Sequence, residues 1–286
     1  MAWSLTAIAA VSVSARPIRS ERHLLIDAHS HVDRYDRVGD GALASALAEI
    51  AERKIFTVSN SMDLPSYERG LEIAEMCDLV LPIFGVHPWN AQHYVNRLDD
   101  LAGAIQQTPM IGEVGLDFHF VKERSTYPDQ ATVLEFFLAE AKKQEKLIQL
   151  HTKGAEREVL ALLDRYELPS VIVHWYSGPL DILRQMVARG FYFTMGIEVL
   201  HSDHIQDIVR EIPSGRLLTE TDNPGGPRAY IGGAGTPSLL DEVILGIARA
   251  TSRTLQEVED TVESNFLELI RGQPWYEDIR SLIGKV

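Results

Sequence analysis

The chain is short of three things. It has one cysteine, Cys77, in 286 residues. That excludes an intramolecular disulfide framework and a CxxC zinc site, and it fits a reducing, cytoplasmic compartment. It has no apolar run near the ~20 residues that a membrane-spanning helix needs, so no membrane partner is expected. It is short of positive charge: 27 Lys and Arg against 41 Asp and Glu, a formal net charge of −14. Such a balance excludes a surface that binds nucleic acid by non-specific phosphate neutralisation. It still allows a nucleic-acid enzyme whose bound cations and local arginines meet the phosphate. What the chain does have is core, with 45% hydrophobic and 24% charged residues, as in ordinary globular proteins.

The first residues, "MAWSLTAIAAVSVSARP", end in small residues as a signal peptide does but lack its basic n-region. Residues 1–22 are therefore read as a tail, and 23–286 as one domain.

From Leu24 onward, short β-rich runs alternate with amphipathic segments. The strand candidates are 24–31, 55–61, 79–88, 109–118, 147–154, 170–178, 191–200 and 216–224. They are near-continuous apolar runs, as parallel strands buried on both faces should be. Between or after them, segments such as "GALASALAEIAERK", "ATVLEFFLAEAKKQEK" and "LLDEVILGIARA" carry apolar residues at helical spacing. Eight strand–helix units predict an α/β fold, a closed (β/α)8 TIM barrel in a single domain. The alternative is an open doubly wound sheet.

Potential ligands fall at the C-terminal ends of six of these strands: His29 and His31, His87, Glu113, His151, His174 and Asp222. In a barrel those ends converge on one face, where catalytic groups sit. In "LLIDAHSHVD", residues two apart share a strand face, so His29 and His31 project together. Glu113 lies inside the apolar "IGEVGLDF", where an unpartnered carboxylate would be costly. Four histidines and two carboxylates are enough for two divalent ions with one carboxylate bridging. The mixed set suits Zn2+ or Mn2+ and would be unusual for Mg2+ alone. Singly, His151 or His174 would read as a hydrogen-bonded core histidine, and Asp222 as a turn residue before Asn-Pro. His23, His93, His119, His201 and His204 fall outside this pattern, Asp117 reads as a supporting acceptor, and Cys77 as core.

The motifs "DAHSHVD", "GVHPW", "IGEVGLDF", "LHTKGA", "VHWYSG" and "TETDNP", in that order, resemble the TatD family of metal-dependent deoxyribonucleases, a branch of the amidohydrolase-type barrels. "NFLEL" resembles the family's closing helix, and the likeness runs from Leu24 to Arg271. The resemblance implies that His29, His31 and Asp222 bind one metal ion and His151 and His174 another. Glu113 bridges them, and Asp222 orients or deprotonates the attacking water. It places His87 near the substrate phosphate. It implies cleavage of phosphodiester bonds in DNA, often 3′ to 5′. Some relatives are assigned instead to deacylation of mischarged tRNA, so an ester or amide substrate, such as an aminoacyl-tRNA or a small metabolite, is the second reading. There are departures. "HWYSG" replaces an "HCFSG"-like motif, and "HTKGA" lacks a frequent Arg-Asp pair, leaving Lys153 as the local positive charge for phosphate. The loop 223–238 offers Arg228 and Tyr230 as further substrate contacts.

Overall fold

The computed structural model describes residues 24–284, apart from position 169. Residues 1–22, read from the sequence as a tail, and His23 lie outside the described residues. Eight parallel strands follow one another: β1 (Leu25–Ser30), β2 (Ile55–Asn60), β3 (Val80–Ile83), β4 (Ile111–Gly115), β5 (Ile148–His151), β6 (Val171–Val173), β7 (Tyr192–Met195) and β8 (Leu217–Thr219). The helices are α1 (Ala42–Arg53), α2 (Leu64–Ala74), α3 (Ala102–Gln107), α4 (Tyr127–Lys143), α5 (Glu156–Tyr166), α6 (Leu180–Ala188), α7 (Asp203–Glu211), α8 (Arg228–Ile231), α9 (Leu239–Thr251), α10 (Leu255–Leu269) and α11 (Tyr276–Gly284).

The sheet is a ring. One ladder runs β1-β2-β3 and a second β4-β5-β6-β7-β8, and a parallel bridge from Phe84 to Ile111 joins them. β8 returns to β1 at the rim: the Asp222 amide donates to the His29 carbonyl (2.9 Å) and the His31 amide to the Asn223 carbonyl (2.7 Å). Asp27 adds a side-chain clasp, accepting from the Thr221 amide (2.8 Å) and hydroxyl (2.6 Å). The open doubly wound alternative is thereby excluded, and the fold is the (β/α)8 barrel.

Strand residues are buried almost throughout, including all of β1, β2, β4, β5 and β7. Helices cover the outside with one apolar face each. α10 sets Phe266 against Phe56 of β2, ring centroids 5.4 Å apart. Its start is fixed by a reciprocal cap between Thr254 and Glu257. Each such core side chain stabilises by about 1.5–3 kcal/mol through burial.

Two strands break their register. Between Asp27 and Ser30 of β1, and between Ile111 and Val114 of β4, the pairing shifts by a residue. Bulges of this kind re-aim side chains. The first contains His29 and the second Glu113.

Candidate metal centre

The structure gathers all six residues marked as metal ligands from the sequence at the C-terminal mouth, around one carboxylate. Glu113 is buried, and its two oxygens face different sets of rings. Oε2 is 3.5 Å from His29 Nε2 and 3.3 Å from His31 Nε2. Oε1 is 2.8 Å from His151 Nδ1, 3.4 Å from His174 Nε2 and 3.4 Å from His87 Nε2. Asp222 Oδ1 lies 3.4 Å from His31 Nε2 and 3.8 Å from His29 Nε2.

The outward nitrogens decide what the inward ones can do, because a neutral imidazole has one N–H and one lone pair. His29 Nδ1 donates to Gln149 Oε1 (2.7 Å), and His31 Nδ1 to the Asn60 carbonyl (2.8 Å). His174 Nδ1 donates to Glu220 Oε2 (2.8 Å), and His151 Nε2 to Asp117 Oδ2 (3.1 Å). Each of these four rings, once its inward nitrogen has lost a proton, turns a lone pair toward Glu113. His87 is the opposite case. Its Nδ1 accepts from the Trp89 amide (3.2 Å), so its inward Nε2 carries the proton. By distance His87 groups with Glu113 and His151 as a possible ligand set. The Trp89 hydrogen bond instead makes it a donor.

Burial and charge oppose one another here. Burial disfavours charge on His29, but the carboxylates of Glu113, Glu220 and Asp222 outweigh it and push the ring up to about 10. His151 is likewise pushed up to about 9 against burial, by its hydrogen bonds to Asp117 and Glu113. Burial holds His87 down to about 4, in keeping with a neutral donor. His174 is held well below its ordinary value, first by burial and then by His29, whose ring stacks on it at 3.6 Å. Burial raises Glu220 to about 7. It would raise Glu113 too, yet the surrounding imidazoles hold that carboxyl well below the usual range.

A divalent cation fits this donor set. Two groups within the cluster, His29–His31–Glu113 and His29–His174–Glu220, bring ligand-type atoms within 4.8 Å of one another. His29 Nε2 is buried without a hydrogen-bond partner, a costly state unless a ligand uses its lone pair. Protons and an ion compete for the same nitrogens, so ion binding should release protons.

The backbone around the centre has little latitude. Asp222 sits at φ 50°, a left-handed conformation rare for a residue other than glycine. It is held there by its bond to β1 and by the Gly226 amide, which donates to its carbonyl (2.9 Å). A Cβ on Gly226 would come within 2.0 Å of Asp222 Oδ2, so only glycine leaves the carboxylate its place.

An open cavity of ≈ 1360 Å3 rises from the cluster. Lys153 and Arg228, marked from the sequence as substrate contacts, both line it, with Arg34, Arg37 and Tyr230. Lys153 Nζ donates to Ser177 Oγ (2.6 Å) and lies 5.8 Å from the centre of the Trp175 ring. Its ammonium is pulled below the ordinary range by burial. His119 and His204 also line the cavity but join none of the ligand-type groups among the described residues. His201 stacks on Tyr230 at 5.3 Å.

Sequence reasoning passed over Gln149 and Glu220. Each stands two residues before a ligand candidate, His151 and Asp222, just as Asp27 stands two before His29. The D-x-H, Q-x-H and E-x-D spacings were the signal: residues two apart share a strand face. The outward nitrogen of His151 is bonded by Asp117, which follows another strand, β4.

The family described as TatD related DNase matches residues 26–271. The chain belongs to the TatD family. It is a metal-dependent hydrolase. Among its TatD-like relatives is the uncharacterized metal-dependent hydrolase YabD of Bacillus subtilis, 28% identical over 260 residues that cover 87% of this chain and 99% of that protein. Deoxyribonuclease TATDN3 of Homo sapiens is 26% identical over 262 residues, 86% of this chain and 94% of that one. The crystal structure of YJJV, a TatD homolog from Escherichia coli, superposes with a TM-score of 0.76 at 22% identity, covering 86% of this chain and 97% of that chain. That likeness concerns the barrel.

Proposed function

We propose that the chain is a two-metal phosphodiesterase acting on DNA, a deoxyribonuclease that removes nucleotides from a 3′ end. The observation that carries the reading is the division of Glu113: each oxygen faces a separate set of imidazole nitrogens. Such a carboxylate suits a bridge between two cations.

His29, His31 and Asp222 would hold one ion, and His151 and His174 the other, with Glu113 between them. Divalent ions at such a pair supply Lewis acidity toward a phosphoryl oxygen and lower the pKa of a water molecule. The remaining work falls to the protein. Asp222, the less buried of the two carboxylates at 19% against 1% for Glu113, faces the cavity and accepts the proton of the attacking water. His87, neutral and with its proton on Nε2, donates to a non-bridging phosphate oxygen. Lys153 and Arg228 offset the phosphate charge. The cavity exceeds the ~300–1,000 Å3 of ordinary small-molecule sites, which favours a polymer over a small metabolite. The relative named deoxyribonuclease supports the same choice.

One specific observation favours the second reading in its small-metabolite form, an ester or amide without a nucleic-acid backbone: a −14 chain repels polyanions, DNA and tRNA alike, away from its mouth. The deciding experiment is metal-dependent turnover of labelled single-stranded DNA beside a panel of ester substrates. DNA cleavage that weakens with rising salt is expected. Turnover confined to the esters would replace the nuclease reading.

A further inference from the structure

The mouth of the barrel has two kinds of wall. Arg34 and Arg37 follow β1 and Arg228 follows β8, so these cations cluster where the ring closes. The loops after β3 and β4, three strand positions round the ring, carry an aromatic pair instead. Trp89 and Phe120 both line the cavity, and they are 43% and 56% exposed. Their rings meet edge to face at 6.1 Å. Large exposed apolar groups at a ligand cavity call for an explanation, since burial would stabilise them.

Their positions are not left loose. Asp117, fully buried, holds both. Its Oδ2 accepts from Trp89 Nε1 (2.7 Å), and its Oδ1 accepts from the Phe120 amide (2.7 Å) and the His119 amide (2.9 Å). The same Oδ2 faces His151. The pair is thus built from the metal centre outward: Trp89 lies 4.8 Å from the His87 ring, and His87 Nε2 lies 3.4 Å from Glu113. A ligand with a phosphate at Glu113 and a planar π system beside it would meet Trp89 next.

We propose that Trp89 and Phe120 form a stacking ledge for one unpaired nucleobase of the strand being cut. The inference rests on the phosphodiesterase reading, because the cluster places the phosphate. Cations at one side of the mouth and aromatic faces at another are the two components of single-strand recognition. A base inside a duplex has both faces covered by its neighbours, so the ledge requires a base freed from the stack, as at a single-stranded or frayed end. Loss of one base–aromatic stack should weaken recognition by at least about fivefold.

The test uses the full chain loaded with Mn2+ and three substrates: a labelled single-stranded oligonucleotide, the same strand with an abasic residue at its 3′ end, and methyl p-nitrophenyl phosphate. The parent should favour the base-bearing strand over the abasic one by at least about fivefold in kcat/KM, carried mainly by KM. Phe120→Ala and Trp89→Ala should shrink that ratio toward one. Trp89→Phe keeps a ring but loses the donor to Asp117, and should retain most of the ratio, which separates stacking from support of the metal centre. If the parent cleaves base-bearing and abasic strands equally and the variants change nothing, the ledge is refuted while the phosphodiesterase stands. If the parent turns over neither oligonucleotide nor the simple diester, the phosphodiesterase reading fails and the ledge with it.

Discussion

The two sides of the proposed metal centre place their negative charge differently. On the β1 side the outward nitrogens of His29 and His31 bond neutral oxygens, those of Gln149 and Asn60. The carboxylate on that side, Asp222, faces the cavity itself. On the β5–β6 side the outward nitrogens of His151 and His174 bond carboxylates, Asp117 and Glu220, both 0% exposed. A carboxyl partner behind an imidazole fixes its tautomer and ring orientation. In the proposed mechanism one side keeps its charge where a reacting water can use it, and the other keeps it where it can act only through a ligand. Residues of the first kind should govern turnover, and those of the second kind ion affinity.

The largest effect should come from Asp222→Asn, which leaves the fold intact and lowers metal-dependent phosphodiester turnover by roughly 10^2–10^4-fold, the span typical of lost acid–base groups. Thermal unfolding and kcat at saturating Mn2+ check it together. A variant as active as the parent would remove Asp222 from the proton-accepting role. Glu113→Ala belongs to both sides, so bound metal should fall from about two ions per chain toward one or none. Elemental analysis after gel filtration reads this directly, and unchanged stoichiometry would end the bridging role.

The buried carboxylates come next. Asp117→Asn and Glu220→Gln should each weaken ion affinity by about 10–100-fold, with turnover largely restored at high metal concentration. Gln149→Leu removes only a neutral partner and should cost less affinity than either. If the neutral partner proves the more important, the contrast between the two sides is wrong. The smallest effect should be at a distance. The pair Arg184–Glu211, with Nε to Oε2 at 2.7 Å, joins α6 to α7 on the exposed surface. Arg184→Ala should leave stability nearly unchanged, because an exposed ion pair contributes little, and should leave metal affinity alone, as chemical denaturation and isothermal titration would show.

Much of this was legible in the sequence because barrel geometry converts chain order into convergence. His29, His31, His87, Glu113, His151, His174 and Asp222 each close an apolar strand pattern, and parallel strands in a ring bring such ends together. The strands themselves showed as buried runs. Among the helices that went unnamed are α2, eleven residues long, whose pattern is interrupted by Pro65 and Gly70, and α7, nine residues long, where only Ile205, Ile208 and Val209 are buried. The supports of the proposed ligands were harder to see. Asn60 contributes a backbone carbonyl, which no side-chain pattern announces. Gln149 and Glu220 lie on the ligand face of their strands, but one polar residue in an apolar run reads as tolerance until its partner is known. The bulges at His29 and Glu113 are likewise invisible, since they depend on register with neighbouring strands. The role of His87 turned on one amide, that of Trp89, which fixes where its proton resides.

The account rests on two cations sharing Glu113, and anomalous diffraction from crystals grown with Mn2+ tests it most directly. Two peaks about 3.5–4 Å apart are expected astride the Glu113 carboxylate, one beside His29, His31 and Asp222 and the other beside His151 and His174. A lone peak, or two peaks that do not share Glu113, would contradict it.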